Sequence, residues 1–186
     1  MRDLRISVTD RCNFRCAYCM PFDEYQWMER NQVLSFEEIE RIASVFTDLG
    51  VRKIRLTGGE PLVRKDLHLL VERLSQIGSS IDLSLTTNGA LLEEQARDLY
   101  ASGLRRINVS IDTLKPDRFK EITKRGDLSE VLKGLFAARD VGMGPIKINA
   151  VVIRGFNDDE LIDRVCFGRD NGFEMGLSEY MDVGNG

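Results

Sequence analysis

Along the chain, short runs in which apolar and polar residues alternate are separated by longer runs in which apolar residues recur every three or four positions. The first pattern marks half-buried strands and the second amphipathic helices. The strand-like runs are LRISVT, KIRLTG, IDLSLTTN, RINVSID, IKINAVV and EMGLSEYM. The helix-like runs are SFEEIERIASVFTDLG, DLHLLVERLSQIG, LEEQARDLYASG, LSEVLKGLFAARDVG and DDELIDRVCFGRDNG, most of them closing on glycine and several opening on Ser or Asp. Those residues are ordinary stop and cap signals. Six strands with five intervening helices predict a parallel α/β fold, because each parallel pair needs a crossover.

The alternation inside the strands narrows the architecture. The polar set is Arg5, Ser7 and Thr9 in the first strand, Lys53, Arg55 and Thr57 in the second, and Ser84, Thr86 and Asn88 in the third. It continues through Asn108, Ser110 and Asp112 to Lys147 and Asn149. Strands covered on both faces would read as unbroken apolar runs, so one polar face per strand predicts an open (β/α)6 partial barrel, TIM-like, with a polar lumen. That lumen would set Arg5, Lys53, Arg55 and Lys147 against Asp112. Any one cation can be explained as snorkelling at a strand end. Four on one face ask for an anionic ligand.

Length and composition fit one domain over residues 1–186: 42% of the residues are hydrophobic and 30% charged. A formal net charge of −4 speaks against a general nucleic-acid binder. No apolar run reaches a membrane span and MRDLRISV is no signal peptide, so a cytoplasmic protein without a membrane partner is expected.

Three of the four cysteines, Cys12, Cys16 and Cys19, crowd into eight positions just after the first strand. Barrels of this kind place their chemistry at that end of the sheet. In a reducing compartment an odd cluster is a metal site rather than a disulfide framework. Structural zinc takes four protein ligands, and none is at hand: His68 reads as an exposed helical residue and Cys166 as a small buried hydrophobe. Three thiolates suit a [4Fe-4S] cluster with one iron left open.

Cys-x3-Cys-x2-Cys with Tyr18 before the last cysteine, followed by TGGEP at 57–61, resembles the radical S-adenosylmethionine superfamily. Within it, LRISVTDRCNFRCAYCMP, KIRLTGGEPLVRKDL, LTTNG, NVSID, INAVVIRGFND and EYMDVGN resemble the GTP 3′,8-cyclases of molybdenum cofactor biosynthesis. The resemblance implies a cluster on Cys12, Cys16 and Cys19, and S-adenosylmethionine as second cofactor, cleaved reductively to a 5′-deoxyadenosyl radical that starts cyclisation of GTP. It implies cofactor contacts from Tyr18, Gly58, Gly59, Glu60, Ser110 and Met181, the last through its backbone. In TGGEP the glycines would let the backbone approach that ligand. Arg5, Arg55, Thr86 and Lys147 would contact GTP, with Lys53 nearby. An electron donor to the cluster is implied as well. Self-association is left open.

Two departures qualify the likeness. The cyclases are longer, with a C-terminal region carrying a second three-cysteine cluster, and Gly176 stands where they ordinarily have an arginine for the S-adenosylmethionine carboxylate. The expectation is a cyclase core that is incomplete alone. The alternatives are a radical enzyme acting on a peptide or another nucleotide, and a cluster-binding remnant without turnover.

Overall fold

The computed structural model describes residues 2–20, 22, 24–78 and 81–181. Strands β1 (Asp3–Ser7), β2 (Lys53–Thr57), β3 (Asp82–Thr87), β4 (Arg106–Ser110), β5 (Ile146–Val152) and β6 (Glu174–Glu179) form one all-parallel sheet in chain order. Helices α1 (Phe36–Asp48), α2 (Leu67–Gln76), α3 (Leu92–Ala101), α4 (Pro116–Thr123), α5 (Leu128–Asp140) and α6 (Leu161–Asn171) return the chain between strands. Edge strands β1 and β6 do not pair with one another, so this is the expected open, TIM-like partial barrel. The last four residues of the EYMDVGN stretch, 182–185, lie outside the described residues.

Local chemistry accounts for the element boundaries. At α1 the Ser35 hydroxyl accepts from Glu38 N at 3.2 Å and the Glu38 carboxylate accepts from Ser35 N at 2.7 Å, a reciprocal cap of two otherwise orphaned donors. At α5 the Asp127 carboxylate accepts from Ser129 N at 2.8 Å. The strands' apolar positions, among them Ile54, Leu56, Leu85, Val109 and Ile148, are buried against Leu70, Leu74, Leu99 and Leu135 of the helices. The core therefore lies entirely on the helix side, and the polar set faces the lumen.

The alternation pattern missed α4. Its eight residues, PDRFKEIT, are mostly polar and too few for a clear period, although Pro116 at the first helical position is a start signal. Phe119, Ile122 and Thr123 are buried. Their burial matters for the site, because the cysteine loop rests on the end of this helix. Two smaller expectations also change: His68 is half-buried, and so is Cys166.

Candidate active site at the carboxyl end of the sheet

The loop after β1 carries Cys12, Cys16 and Cys19, and it is pinned along its length. Arg15 N donates to Thr123 O at 3.0 Å and Ala17 N to Ile122 O at 2.9 Å, while Cys19 N and Met20 N both donate to Cys16 O. The Phe14 ring meets Phe119 edge to face, with centroids 6.0 Å apart. The Arg15 guanidinium donates to Cys12 O and Phe14 O and lies over the rings of Tyr25 and Trp27. All three thiols are free, Cys19 exposed and the others half-buried.

Burial, helped by Asp112 and the neighbouring thiols, pushes the Cys16 thiol up to about 12. Cys12 is raised by burial as well, against the Phe14 N–H that donates to its sulfur at 3.4 Å. At neutral pH these groups are protonated until a cationic metal group displaces the protons. Among the described residues no three His, Cys, Asp or Glu side chains are gathered to hold a single metal ion. A cluster takes one thiolate per iron and does not need that gathering.

Beside this loop runs Gly58-Gly59-Glu60. Gly59 N donates to Thr9 O at 2.8 Å and Glu60 N to Arg11 O at 2.7 Å. A Cβ at Gly59 would lie 2.3 Å from Arg11 O, and one at Gly58 would lie 2.5 Å from Thr9 O. The glycines thus permit close approach to the cysteine loop's backbone, where the sequence had suggested approach to a ligand. The Glu60 carboxylate, 1% exposed, accepts from the Thr87 hydroxyl at 2.7 Å, Asn88 N at 2.6 Å and Leu62 N at 2.9 Å. Burial raises its pKa against these donors. Its side chain is committed to the end of β3 and to Leu62 N, its backbone N–H to Arg11 O, and its carbonyl oxygen accepts from Val63 N at 3.2 Å. Asn88 in turn donates to Asn13 Oδ1 at 2.7 Å, with Cys12 Sγ 4.0 Å from the same nitrogen.

Deeper in the lumen, Arg5, Lys53, Arg55 and Lys147 line one cavity of about 400 Å³. Register sets Arg5 directly opposite Arg55, an arrangement that costs stability when nothing neutralises it. Among the described residues none of these four cations forms an ion pair, although Asp3 and Glu174 line the same cavity and stand opposite Lys53 and Lys147 in register; Arg106 there is paired with Asp82. Asn108 stands opposite Lys147, and the Lys147 stem covers Gly176, whose added Cβ would lie 2.4 Å from Lys147 Cε.

Asp112 is not the lumen counterion that the alternation suggested. It lies beyond the end of β4, 5% exposed, where Oδ2 accepts from the Tyr18 hydroxyl at 2.7 Å and Oδ1 from Val151 N at 2.8 Å. Burial raises its pKa, partly offset by those two donors and by Arg164. Tyr18 is raised far above the usual phenol range by burial and by Asp112.

Comparison with known proteins decides the family. Residues 6–165 match the model of the radical SAM superfamily. The chain belongs to the radical SAM superfamily. Radical SAM enzymes take a [4Fe-4S] cluster and S-adenosylmethionine as cofactors, and the three free thiols fit the cluster in number and chemistry. Curated relatives named GTP 3′,8-cyclase are 53% identical in Acidothermus cellulolyticus, over 100% of this chain and 52% of the relative, and 46% identical in Staphylococcus aureus, over 100% and 56%. GTP 3′,8-cyclase 3 of Mycobacterium bovis is 52% identical over 99% of this chain and 50% of its own length. The chain therefore spans about half the length of the curated relatives it matches. Among solved structures, Streptococcus suis SuiB bound to S-adenosylmethionine aligns with a TM-score of 0.80 at 22% identity, covering 98% of this chain and 40% of that one. Methylornithine synthase, PylB, aligns at 0.74 and 13%, covering 100% and 58%. Both support the radical SAM barrel.

Against that family background, the residues singled out by sequence fall into three groups. Arg5, Lys53, Arg55 and Lys147 meet in the cavity, with Thr86 and Ser110 on the same face nearer the rim. Cys12, Cys16, Cys19, Gly58, Gly59 and Glu60 meet at the rim through the loop contacts above. Tyr18 is tied to Asp112, and Met181 stays apart beyond β6, 76% exposed. Sequence reasoning counted Asn88 only among the polar lumen positions of the third strand, and it missed Asn157, Glu160 and Arg164. Only the INAVVIRGFND stretch carried a trace of Asn157, since a single buried polar residue in a loop, or on a helix such as Arg164 on α6, follows no polar period.

Proposed function

We propose that this chain is the barrel core of a GTP 3′,8-cyclase, with Cys12, Cys16 and Cys19 as cluster ligands and GTP as substrate. The observation that carries the reading is the set of four cations without ion-pair partners in one cavity, two of them opposed across β1 and β2. No carboxylate faces the opposed Arg5 and Arg55 in register, and a triphosphate supplies the anion that would neutralise them. The cyclase relatives at 46–53% identity favour GTP over other nucleotides.

When bound, the cluster with S-adenosylmethionine supplies a 5′-deoxyadenosyl radical by one-electron reduction of the sulfonium. The chain's own residues do the positioning. Arg5 and Arg55 stand two residues before the last residues of their strands, roughly 7 Å below the rim. A triphosphate held at that depth directs its nucleoside toward the cysteine loop. Holding the reacting carbon within contact distance is the largest service such a scaffold renders, since an error of about 1 Å can cost ~100-fold. A cytoplasmic setting and a low-potential electron donor go with this reading. We further propose that residues 1–186 act as one domain.

The test is anaerobic reconstitution followed by reduction with dithionite in the presence of both ligands. Deoxyadenosine whose formation is stimulated by GTP supports the reading. GTP-independent cleavage, with ATP and GTP bound equally, would favour a radical enzyme with another substrate.

A further inference from the structure

At the rim beyond β4, a buried polar knot surrounds Asp112. Its backbone oxygen accepts from Asn157 Nδ2 at 2.7 Å and from Arg164 Nη1 at 2.7 Å. Arg164, 1% exposed, spends its second Nη on Asn157 O at 2.6 Å. Asn157 closes the knot, donating to Val151 O at 2.9 Å and accepting from Ile153 N at 2.7 Å. Next along the chain, the Thr113 hydroxyl and Leu114 N donate to the buried Glu160 carboxylate. These bonds fix the Asp112 backbone with no help from its side chain.

The carboxylate is therefore free for another task. Oδ1 takes Val151 N, which also belongs to the rim, and Oδ2 takes the hydroxyl of Tyr18, 94 residues away in the cysteine loop. On its other flank that loop leans on α4 through Ala17 and Arg15. Tyr18 lies between Cys16 and Cys19, so a fixed phenol fixes the turn that presents both thiols. A buried carboxylate is costly to keep, and among the described residues no cation forms an ion pair with this one, although Arg164 binds the same residue's carbonyl. A barrel rim does not need that cost.

We propose that Asp112 is a positioning residue of the cluster: it latches Tyr18, sets the Cys16–Cys19 turn against the rim of β4 and β5, and places a buried negative charge beside the iron. The proposal rests on the cluster assignment above. Outer partners of metal ligands orient them and tune the metal, and removing one typically costs 10–100-fold in metal affinity. Buried charge near a cluster also moves its reduction potential. Reduction adds an electron, so taking away a neighbouring negative charge raises the potential.

The test compares the parent chain with Tyr18→Phe, Asp112→Ala and Asp112→Asn after anaerobic reconstitution. Iron release to a chelator, thermal melting, and the midpoint potential followed by electron paramagnetic resonance are the readouts. Tyr18→Phe, which leaves the buried Asp112 Oδ2 without its donor, should release iron about tenfold faster and melt a few degrees lower. Asp112→Ala should do the same where it folds. Asp112→Asn keeps the bond from Val151 N on its amide oxygen and holds Tyr18 by a reversed bond, the amide N–H donating to the phenol oxygen, so it should hold iron like the parent, but with a more positive potential. Parent-like iron release from Tyr18→Phe, or an unmoved potential in Asp112→Asn, would overturn the proposal. A parent chain that takes up no [4Fe-4S] cluster would contradict the cluster assignment and this proposal with it.

Discussion

The rim and the lumen of this half-barrel are built from similar polar residues and treat them in opposite ways. At the rim, buried charges are answered within the chain: Glu60 by three donors, Asp112 by two, and Arg164 by backbone carbonyls. In the lumen, Arg5, Lys53, Arg55 and Lys147 have no ion-pair partner among the described residues, and two of them oppose each other. The rim's buried carboxylates are satisfied within the chain, whereas in the reading proposed above the opposed Arg5 and Arg55 are neutralised by a ligand. The contrast separates frame from site. Substitutions at the rim should change folding and the cluster, whereas substitutions in the lumen should change ligand affinity with little effect on folding.

The largest expected effect is at the cysteine loop. Replacing Cys12, Cys16 or Cys19 by Ala should abolish the reconstituted cluster, read as iron content and visible absorption, while Cys166→Ala in α6 should leave it intact. A cluster retained without Cys16 would break the assignment.

Next comes Glu60→Ala. It strands three buried donors, two of them backbone N–H groups, and should cost roughly 3 kcal/mol or more. For a chain of this size that is a fall of about 6–12 °C in melting temperature. Loss of cluster binding without loss of stability would make Glu60 a ligand-contacting residue instead of a brace.

Arg55→Ala should show the reverse signature. Losing one charge-assisted bond of about 1.5–3 kcal/mol weakens triphosphate binding ~10- to 100-fold, and the loss should shrink at high salt. S-adenosylmethionine affinity should hold, and the melting temperature should stay level or rise slightly, because Arg5 loses a like-charged neighbour. Equal losses for both ligands would erase the distinction between rim and lumen.

The smallest effect sharpens the comparison. Gly176→Ala puts a methyl group against the Lys147 stem and the Asn149 amide oxygen, and both side chains must move aside. Thermal melting should change by less than about 1 kcal/mol equivalent, while triphosphate affinity falls measurably as the ammonium shifts. An arginine at 176, which a comparison with the cyclases invites, must displace Lys147 in the same way, so any gain in S-adenosylmethionine binding should come with a loss in triphosphate binding.

The lumen was legible in the sequence because strand period alone assigns a face: Arg5, Arg55 and Lys147 share parity, and the structure sets them in one cavity. The rim was not, because its contacts join residues far apart through loops that carry no period. Asp112 shares the parity of Asn108 and Ser110, yet β4 ends at Ser110, and two residues beyond a strand end parity predicts nothing. The same limit hid α4, whose last carbonyls seat the cysteine loop, and the packing of the GGEP glycines against that loop.

Lumen cations arranged for a polyphosphate must bind nucleotides in the order of their phosphate count. Anaerobic titration of the reconstituted chain with GTP, GDP, GMP and guanosine tests that order most directly. Affinity should fall by roughly tenfold for each phosphate removed, and the GTP isotherm should weaken steeply with salt. Equal affinity for GTP and guanosine, indifferent to salt, would contradict it.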